Sequence, residues 1–148
     1  MKEVADVLLV EDDPGDVELT RKALKTAKMI VNLHVVPDGA SALKYLKRQG
    51  PYSAATRPDL VLLDLNLPKK DGREVLREIK GDAALRSIPV IILTTSGSDS
   101  DIAKCYDLGA NCYLVKPLGF EAFIKVVHEI DDFWFSLVKL PPGGKELP

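Results

Sequence analysis

Five short apolar runs alternate with stretches whose apolar residues recur at helical spacing, and this alternation constrains the fold more than any other feature. The runs lie at residues 7–10, 33–36, 60–63, 89–94 and 112–115. Since most of them are apolar at nearly every position, we expect strands that are buried on both faces, as in parallel sheets. Right-handed crossovers then favour an α/β fold, a doubly wound (βα)5 unit with a five-stranded parallel sheet and helices on both faces.

The length and charge define the class of protein. With 148 residues, the chain is predicted to form one domain over residues 1–140, with a C-terminal extension from about residue 130 and a flexible tail at 141–148. The net charge of -2 disfavours a nucleic-acid or membrane surface that depends on bulk charge. The sequence has no apolar stretch of about 20 residues, the length of a membrane span. It also has no secretory signal, so we expect a cytoplasmic protein.

Polar residues stand at the ends of four of the predicted strands. Asp12 and Asp13 follow the first strand, Asp64 follows the third, Thr94 ends the fourth and Lys116 follows the fifth. In a doubly wound sheet the functional site lies beyond the carboxyl ends of the strands, so these side chains are expected to converge there. Two carboxylates about 4 Å apart repel each other by roughly 4 kcal/mol at an effective dielectric constant near 20. The cluster therefore needs cations, which Lys116 and a hard divalent ion such as Mg2+ would supply.

This combination of groups suits phosphoryl transfer. An aspartate carboxylate can attack phosphorus and form an aspartyl-phosphate. A metal ion and a lysine would neutralise the phosphoryl oxygens, and the Thr94 hydroxyl could donate a hydrogen bond to them. Taken singly, an aspartate after a strand is more often a turn residue or a helix cap. The four strand ends taken together indicate a phosphate-accepting site.

Four segments carry a resemblance to a known family. They read VLLVEDDPGD, LVLLDLNLPKKDG, PVIILTTSG and GANCYLVKP. In these segments the sequence resembles the receiver domains of two-component response regulators, the CheY-like family, from about residue 7 to residue 137. The resemblance implies a flavodoxin-like (CheY-like) fold. It also implies a switch that accepts a phosphoryl group from the phosphohistidine of a sensor histidine kinase or a phosphotransfer protein.

The resemblance also assigns roles to the acidic residues. Asp64 matches the phosphoacceptor. Asp12 and Asp13 match the acidic pair at the Mg2+ site, with Asp13 as the direct ligand and Asp12 acting mainly through water. The backbone carbonyl of Asn66 would be a further ligand. Such a protein catalyses only its own phosphorylation and dephosphorylation, so we do not expect an enzyme with an external substrate.

The remaining motif residues match the switch of the family. Lys116 matches the lysine that contacts the phosphoryl group, and Thr94 matches the switch hydroxyl. Tyr113 matches the aromatic residue whose rotamer follows Thr94, although a plain sheet tyrosine would look the same in the sequence. Pro117 stands where the family usually has a cis peptide bond, which would help to aim the Lys116 side chain.

Two further features resemble a narrower group of regulators. The segment at residues 49–58 is long, and the phrase DFWFSLVKLP occurs near the end of the chain. Both are similar to the single-domain regulators of phytochrome-type histidine kinases. The resemblance implies a stand-alone receiver whose partner is a kinase of that type.

The extended last helix carries more apolar surface than one face of a sheet needs. One stripe at helical spacing consists of Phe120, Phe123, Val127, Ile130, Trp134 and Leu137, and a second consists of Val126, Phe133 and Leu140. We expect one stripe to cover the sheet. The surplus surface, with Phe133, Trp134 and Leu137, is predicted to form a homodimer interface. The alternative is that the second stripe lies under the C-terminal tail of the same chain.

Two other classes of function fit the sequence less well. An aspartate-nucleophile phosphatase would need a second acid two residues after Asp64, and that position is Asn66, which cannot donate a proton in that way. A pseudo-receiver would keep the fold as an interaction module but would usually lack one of the acids or the lysine, all of which are present. A measurable response to Mg2+ would separate a working receiver from a pseudo-receiver.

Overall fold

The sheet has five parallel strands, as the alternation of apolar runs predicts. A computed structural model of the chain describes residues 4–26, 30–135 and 139–142. The strands are β1 (Val4–Val10), β2 (Ile30–Val36), β3 (Leu60–Leu63), β4 (Val90–Thr94) and β5 (Cys112–Val115). They lie in the order β2-β1-β3-β4-β5, and every neighbouring pair is parallel. The strand order reverses between β1 and β3, which is where a doubly wound sheet places its functional site.

Over the residues that the structure describes, five α-helices connect and follow the strands: α1 (Pro14–Leu24), α2 (Gly39–Leu46), α3 (Gly72–Gly81), α4 (Asp99–Asp107) and α5 (Phe120–Ile130). The first four begin after polar caps whose side chains accept a backbone N–H of the first turn; the caps are Asp13, Asp38, Asp71 and Ser98. Such caps satisfy N–H groups that have no partner within the helix. No helix in the described part of the chain is both long enough and apolar enough to cross a membrane.

Alternate residues of each central strand face two separate cores. Leu8 and Val10 of β1 belong to a core that α2, α3 and α4 cover. Val7 and Leu9 belong to a second core on the opposite face of the sheet, which α1 and α5 cover. Because both faces of the sheet are buried, the strands are apolar throughout rather than alternating with polar residues.

The last helix is not a regular α-helix along its whole length. The α-helical part ends at Ile130, and a π-helical turn follows over residues 131–135. In a π turn each backbone N–H bonds to the carbonyl five residues earlier, rather than four as in an α-helix. The α-helical spacing that defines the predicted stripes therefore does not hold beyond Ile130. Phe123, Val127 and Ile130 are buried as predicted, whereas Phe120 is 74% exposed.

Much of the predicted second stripe packs on the core of its own chain. Val126 and Leu140 contact the core beneath α1 and α5, and so does Trp134. Phe133 is 52% exposed and meets Trp134 edge-on, with 5.6 Å between the ring centroids. Leu137, the third residue of the predicted interface, lies outside the described residues, as does the tail from residue 143. For Val126 and Leu140, the structure favours the alternative in which the chain covers this surface itself.

Candidate functional site

The carboxyl ends of β1 and β3 bring three carboxylates together. Val10 and Leu63 are register partners in this parallel pair, so the residues that follow them start at the same level. Glu11, Asp12 and Asp64 each offer a carboxylate oxygen, and these oxygens lie within 4.8 Å of one another. Glu11 and Asp64 are buried, whereas Asp12 is exposed. Hard oxygen donors at this spacing fit a divalent cation such as Mg2+.

Lys116 lies among these carboxylates although β5 is two strands away from β3. The backbone N–H of Lys116 donates to the carbonyl of Thr94 at 2.6 Å, which extends the pairing of β4 and β5 by one residue. Its Nζ donates to Oε1 of Glu11, to Oδ2 of Asp16 at 2.9 Å and to Oδ2 of Asp64 at 3.0 Å. The structure thus brings Lys116 and Asp64 together at the end of the sheet where both were expected.

Burial and ion pairing shift the pKa values of two of these groups. Burial raises the pKa of Glu11 to about 7, and the hydrogen bond from the Lys116 ammonium offsets only part of that effect. Burial alone would lower the pKa of Lys116, but the hydrogen bonds to Glu11 and Asp16 and the surrounding carboxylate charges raise it above its usual value. The Lys116 side chain is therefore protonated and positively charged at neutral pH.

The acidic pair lies one residue earlier in the chain than the sequence-based prediction placed it. Glu11 and Asp12 join Asp64, and the carboxylate of Asp13 instead caps α1 by accepting the N–H of Gly15 at 2.9 Å. This geometry favours Asp12 over the expected Asp13 as the direct ligand of a metal ion, and the assignment of either residue stays a prediction. The sequence did contain the signal, because an aspartate immediately before a proline that opens a helix is typical of a cap.

Thr94 ends β4 with its hydroxyl enclosed. The residue is fully buried, and its Oγ1 has no hydrogen-bond partner among the residues that the structure describes. Leaving a buried hydroxyl unpaired costs about 1–3 kcal/mol. Such groups are rare in native proteins, so this hydroxyl is expected to find a partner in another state of the molecule.

Tyr113 is tied to the loop that follows β4. Its hydroxyl donates to the backbone carbonyl of Ser96 at 2.8 Å, and burial raises the pKa of the phenol. The Ser96 hydroxyl donates to Oδ2 of Asp101 at 2.5 Å, and Arg73 of α3 donates to the other oxygen of the same carboxylate. Sequence reasoning missed Arg73 and Asp101, because no local pattern shows that the starts of α3 and α4 meet.

Two predicted residues contribute through the backbone. Asn66 is exposed, and its N–H donates to Oδ1 of Asp64 at 3.2 Å, which helps to orient that carboxylate. The carbonyl of Asn66 remains a predicted metal ligand. The peptide bond between Lys116 and Pro117 is trans, so the expectation of a cis bond is wrong for this structure. The backbone of Lys116 is positioned instead by the pairing of β5 with β4.

The chain is similar to proteins of known family. The model of the response regulator receiver domain matches residues 7–128. Response regulator Rcp1 from Synechocystis sp. (strain ATCC 27184 / PCC 6803 / Kazusa) is 47% identical over 135 residues, which cover 91% of this chain and 92% of Rcp1. Crystal structures of the Mn2+-bound form of Rcp1 and of the phosphorylated cyanobacterial phytochrome response regulator RcpA each have a TM-score of 0.91 and 46% identity. Each likeness covers 93% of this chain and 99% of the other.

These similarities agree with the geometry at the strand ends. The matched region of the family model contains Asp64, Thr94 and Lys116, and the likeness in structure covers 93% of the chain. The chain therefore belongs to the family of response regulator receiver domains, the phosphorylation switches of two-component systems.

Proposed function

We propose that this protein accepts a phosphoryl group on Asp64 from the phosphohistidine of a sensor histidine kinase or a phosphotransfer protein. The observation that carries the proposal is the contact of 3.0 Å between Nζ of Lys116 and Oδ2 of Asp64 beside an acidic cluster. A fixed cation next to a largely buried carboxylate suits a nucleophile that becomes more negative when it reacts.

The transfer forms one bond and breaks another. A carboxylate oxygen of Asp64 attacks phosphorus, the bond from phosphorus to the histidine nitrogen breaks, and its electron pair returns to the imidazole, which takes up a proton. Asp64 becomes an acyl phosphate. Lys116 balances the added negative charge, because its ammonium already lies within hydrogen-bonding distance of the reacting carboxylate.

Glu11, Asp12 and Asp64 would hold a Mg2+ ion, with the carbonyl of Asn66 as a further oxygen ligand. The ion would supply positive charge to the phosphoryl oxygens. Mg2+ is usually bound by one or two carboxylates together with water and phosphate oxygens, and the exposed Asp12 leaves the cluster open to both. The Mn2+-bound form of the relative Rcp1 supports a divalent metal site in this chain.

The unpaired hydroxyl of Thr94 supports a conformational response to phosphorylation. Phosphoryl oxygens would offer Oγ1 an acceptor, which it lacks among the residues that the structure describes. Movement of Thr94 would then shift the loop in which Ser96 accepts the Tyr113 hydroxyl. The surface formed by α4, β5 and α5 would change as a consequence. This change is a shift between two existing states, driven by the difference in their interactions with the phosphoryl group.

The phosphoryl group would leave by hydrolysis at the same site, without an external substrate. A phosphatase acting on other molecules would need a proton donor two residues after Asp64, and Asn66 cannot fill that role. The protein is thus proposed to catalyse only its own phosphorylation and dephosphorylation.

The proposed setting is a stand-alone receiver domain over residues 1–140 that acts in the cytoplasm. RcpA is a phytochrome response regulator, which supports a phytochrome-type kinase as the partner of this chain. The exposed ring of Phe133 supports a homodimer, for which the sequence predicts an interface with Phe133, Trp134 and Leu137. The proposals for the homodimer and for the kinase can each be wrong without affecting the proposal for Asp64.

Intact mass after incubation with Mg2+ and acetyl phosphate tests the proposal. We expect one added phosphoryl group that hydroxylamine removes, and none in Asp64→Ala. Asp107→Ala, which removes an exposed carboxylate at the end of α4, should leave the uptake unchanged. Normal uptake in Asp64→Ala would indicate a different acceptor. No uptake together with no response to Mg2+ would favour a pseudo-receiver.

A further inference from the structure

Lys116 has a third carboxylate partner that lies outside the acidic cluster. Oδ2 of Asp16 accepts a hydrogen bond from Nζ of Lys116 at 2.9 Å. Asp16 belongs to the first turn of α1, not to a strand end. It is also absent from the group of carboxylates that could share a metal ion in the described part of the chain, Glu11, Asp12 and Asp64.

The backbone of Asp16 is fixed in the first turn of α1, at a place from which the carboxylate reaches Lys116. Asp13, two residues after Glu11, caps the start of α1. Within the helix, the Thr20 hydroxyl donates to the carbonyl of Asp16 at 2.8 Å. A carboxylate in the first turn of a helix also interacts favourably with the helix dipole. The backbone of Asp16 therefore does not depend on Lys116 for its position.

We propose that Asp16 is a positioning residue that holds the Lys116 ammonium while Asp64 is unphosphorylated and competes with the phosphoryl group for it. The proposal rests on the phosphorylation of Asp64 proposed above. An ammonium group has three N–H donors, and in this structure each has one carboxylate acceptor: Glu11, Asp16 and Asp64. A phosphoryl group on Asp64 adds acceptor oxygens, so Lys116 must give up or weaken one existing hydrogen bond to reach them.

Asp16 is the partner that Lys116 can give up most easily. Its side chain is 23% exposed, compared with 4% for Glu11 and 9% for Asp64. Water can therefore solvate the Asp16 carboxylate after release, whereas an unpaired Glu11 would remain buried. The charge of Asp16 therefore disfavours the phosphorylated state. Removing that charge should make Lys116 more available to the phosphoryl group.

Binding of beryllium fluoride, an unreactive mimic of the acyl phosphate, tests this competition in the full chain with Mg2+ present. Asp16→Asn keeps the size of the side chain but removes its charge, and we expect the dissociation constant for beryllium fluoride to fall about tenfold. Asp16→Glu restores the charge and should bring the constant back towards the wild-type value. A merely structural role for Asp16 would predict weaker binding in both variants.

Glu18→Gln provides the matched control for net charge. Glu18 lies on the same helix, is 76% exposed and forms a long ion pair with Arg21, with 3.8 Å between Nε and Oε1. We expect its removal to change the dissociation constant by less than about twofold, because exposed charges at a distance are screened. An equal gain in Glu18→Gln and Asp16→Asn would overturn the proposal, since the effect would then be one of net charge.

The failure of this inference can be told apart from the failure of the proposed function. If wild-type protein binds no beryllium fluoride and takes up no phosphoryl group, both proposals are wrong. If the wild type binds the mimic, Asp64→Ala does not, and Asp16→Asn binds it no more tightly than wild type, only the role of Asp16 is wrong. Tighter binding in Asp16→Asn alone supports both.

Discussion

Arg73 of α3 and Asp101 of α4 form an ion pair between the two helices, with Nε and Nη2 of the arginine 3.1 and 2.7 Å from Oδ1 of the aspartate. The second oxygen of this carboxylate accepts the Ser96 hydroxyl, and the Ser96 carbonyl accepts the hydroxyl of Tyr113. The ion pair therefore holds the loop after β4 in the position in which Tyr113 finds its acceptor.

Asp101→Asn should release this loop, because the neutral amide binds both Arg73 and Ser96 less strongly than the carboxylate does. We expect Tyr113 to sample more than one rotamer in the unphosphorylated protein. Fluorotyrosine NMR, with Tyr113→Phe to assign the signal, should show a broadened or second resonance. Asp99→Asn, an exposed acid in the first turn of the same helix, should leave the resonance as in wild type. An unchanged Tyr113 signal in Asp101→Asn would mean that the loop holds its position without the ion pair.

Thr94→Val should stabilise the unphosphorylated protein by about 1 kcal/mol in urea unfolding. Valine has nearly the same shape as threonine, and it removes a buried hydroxyl that lacks a partner among the described residues. Thr20→Val is the matched control, because the buried Thr20 hydroxyl does donate a hydrogen bond, to the carbonyl of Asp16, and its loss should destabilise the protein. If Thr94→Val is less stable than wild type, the Thr94 hydroxyl is already paired in solution and loses its proposed part in the switch.

The fold could be predicted from the sequence because strands that are buried on both faces of a sheet are apolar at nearly every position. All four residues of β3 are buried, and the run is apolar without interruption. The site followed from the same reasoning, since parallel strands end at one edge of the sheet and so bring Asp64 and Lys116 into reach. These predictions needed only local periodicity and one rule of topology.

The misplaced residues each depend on detail that local periodicity does not contain. Glu11, Asp12 and Asp13 are three consecutive acids, and which of them turns into the site depends on where the helix cap falls. The predicted stripe on the last helix assumes α-helical spacing beyond Ile130, whereas a π turn follows there. Arg73 and Asp101 are 28 residues apart in the sequence and lie on different helices. The spacing of residues within either helix does not indicate that they are in contact.

Mg2+ binding should distinguish the neighbouring aspartates after β1. Asp12→Asn removes one carboxylate from the group that includes Asp64, and we expect the affinity for Mg2+ to fall by about tenfold or more. Asp13→Asn should have little effect, because asparagine caps a helix about as well as aspartate does. Isothermal titration of the two variants and wild type makes the comparison. A larger loss in Asp13→Asn than in Asp12→Asn would restore Asp13 as the direct ligand.

Phe133→Asp should convert the proposed homodimer into a monomer. The ring of Phe133 is 52% exposed, so the substitution leaves the core of a single chain intact, whereas an unpaired carboxylate buried between two chains would be strongly unfavourable. Trp134→Asp is a poorer test, because Trp134 packs against the core and its loss would also destabilise the fold.

Light scattering over a range of concentrations should show that the mass of Phe133→Asp is half that of the wild-type protein. Ile30→Asp adds the same charge at an exposed apolar residue on the edge strand β2 and should leave the mass unchanged. A wild-type protein that is monomeric throughout, or a dimer that persists in Phe133→Asp, would rule out this interface.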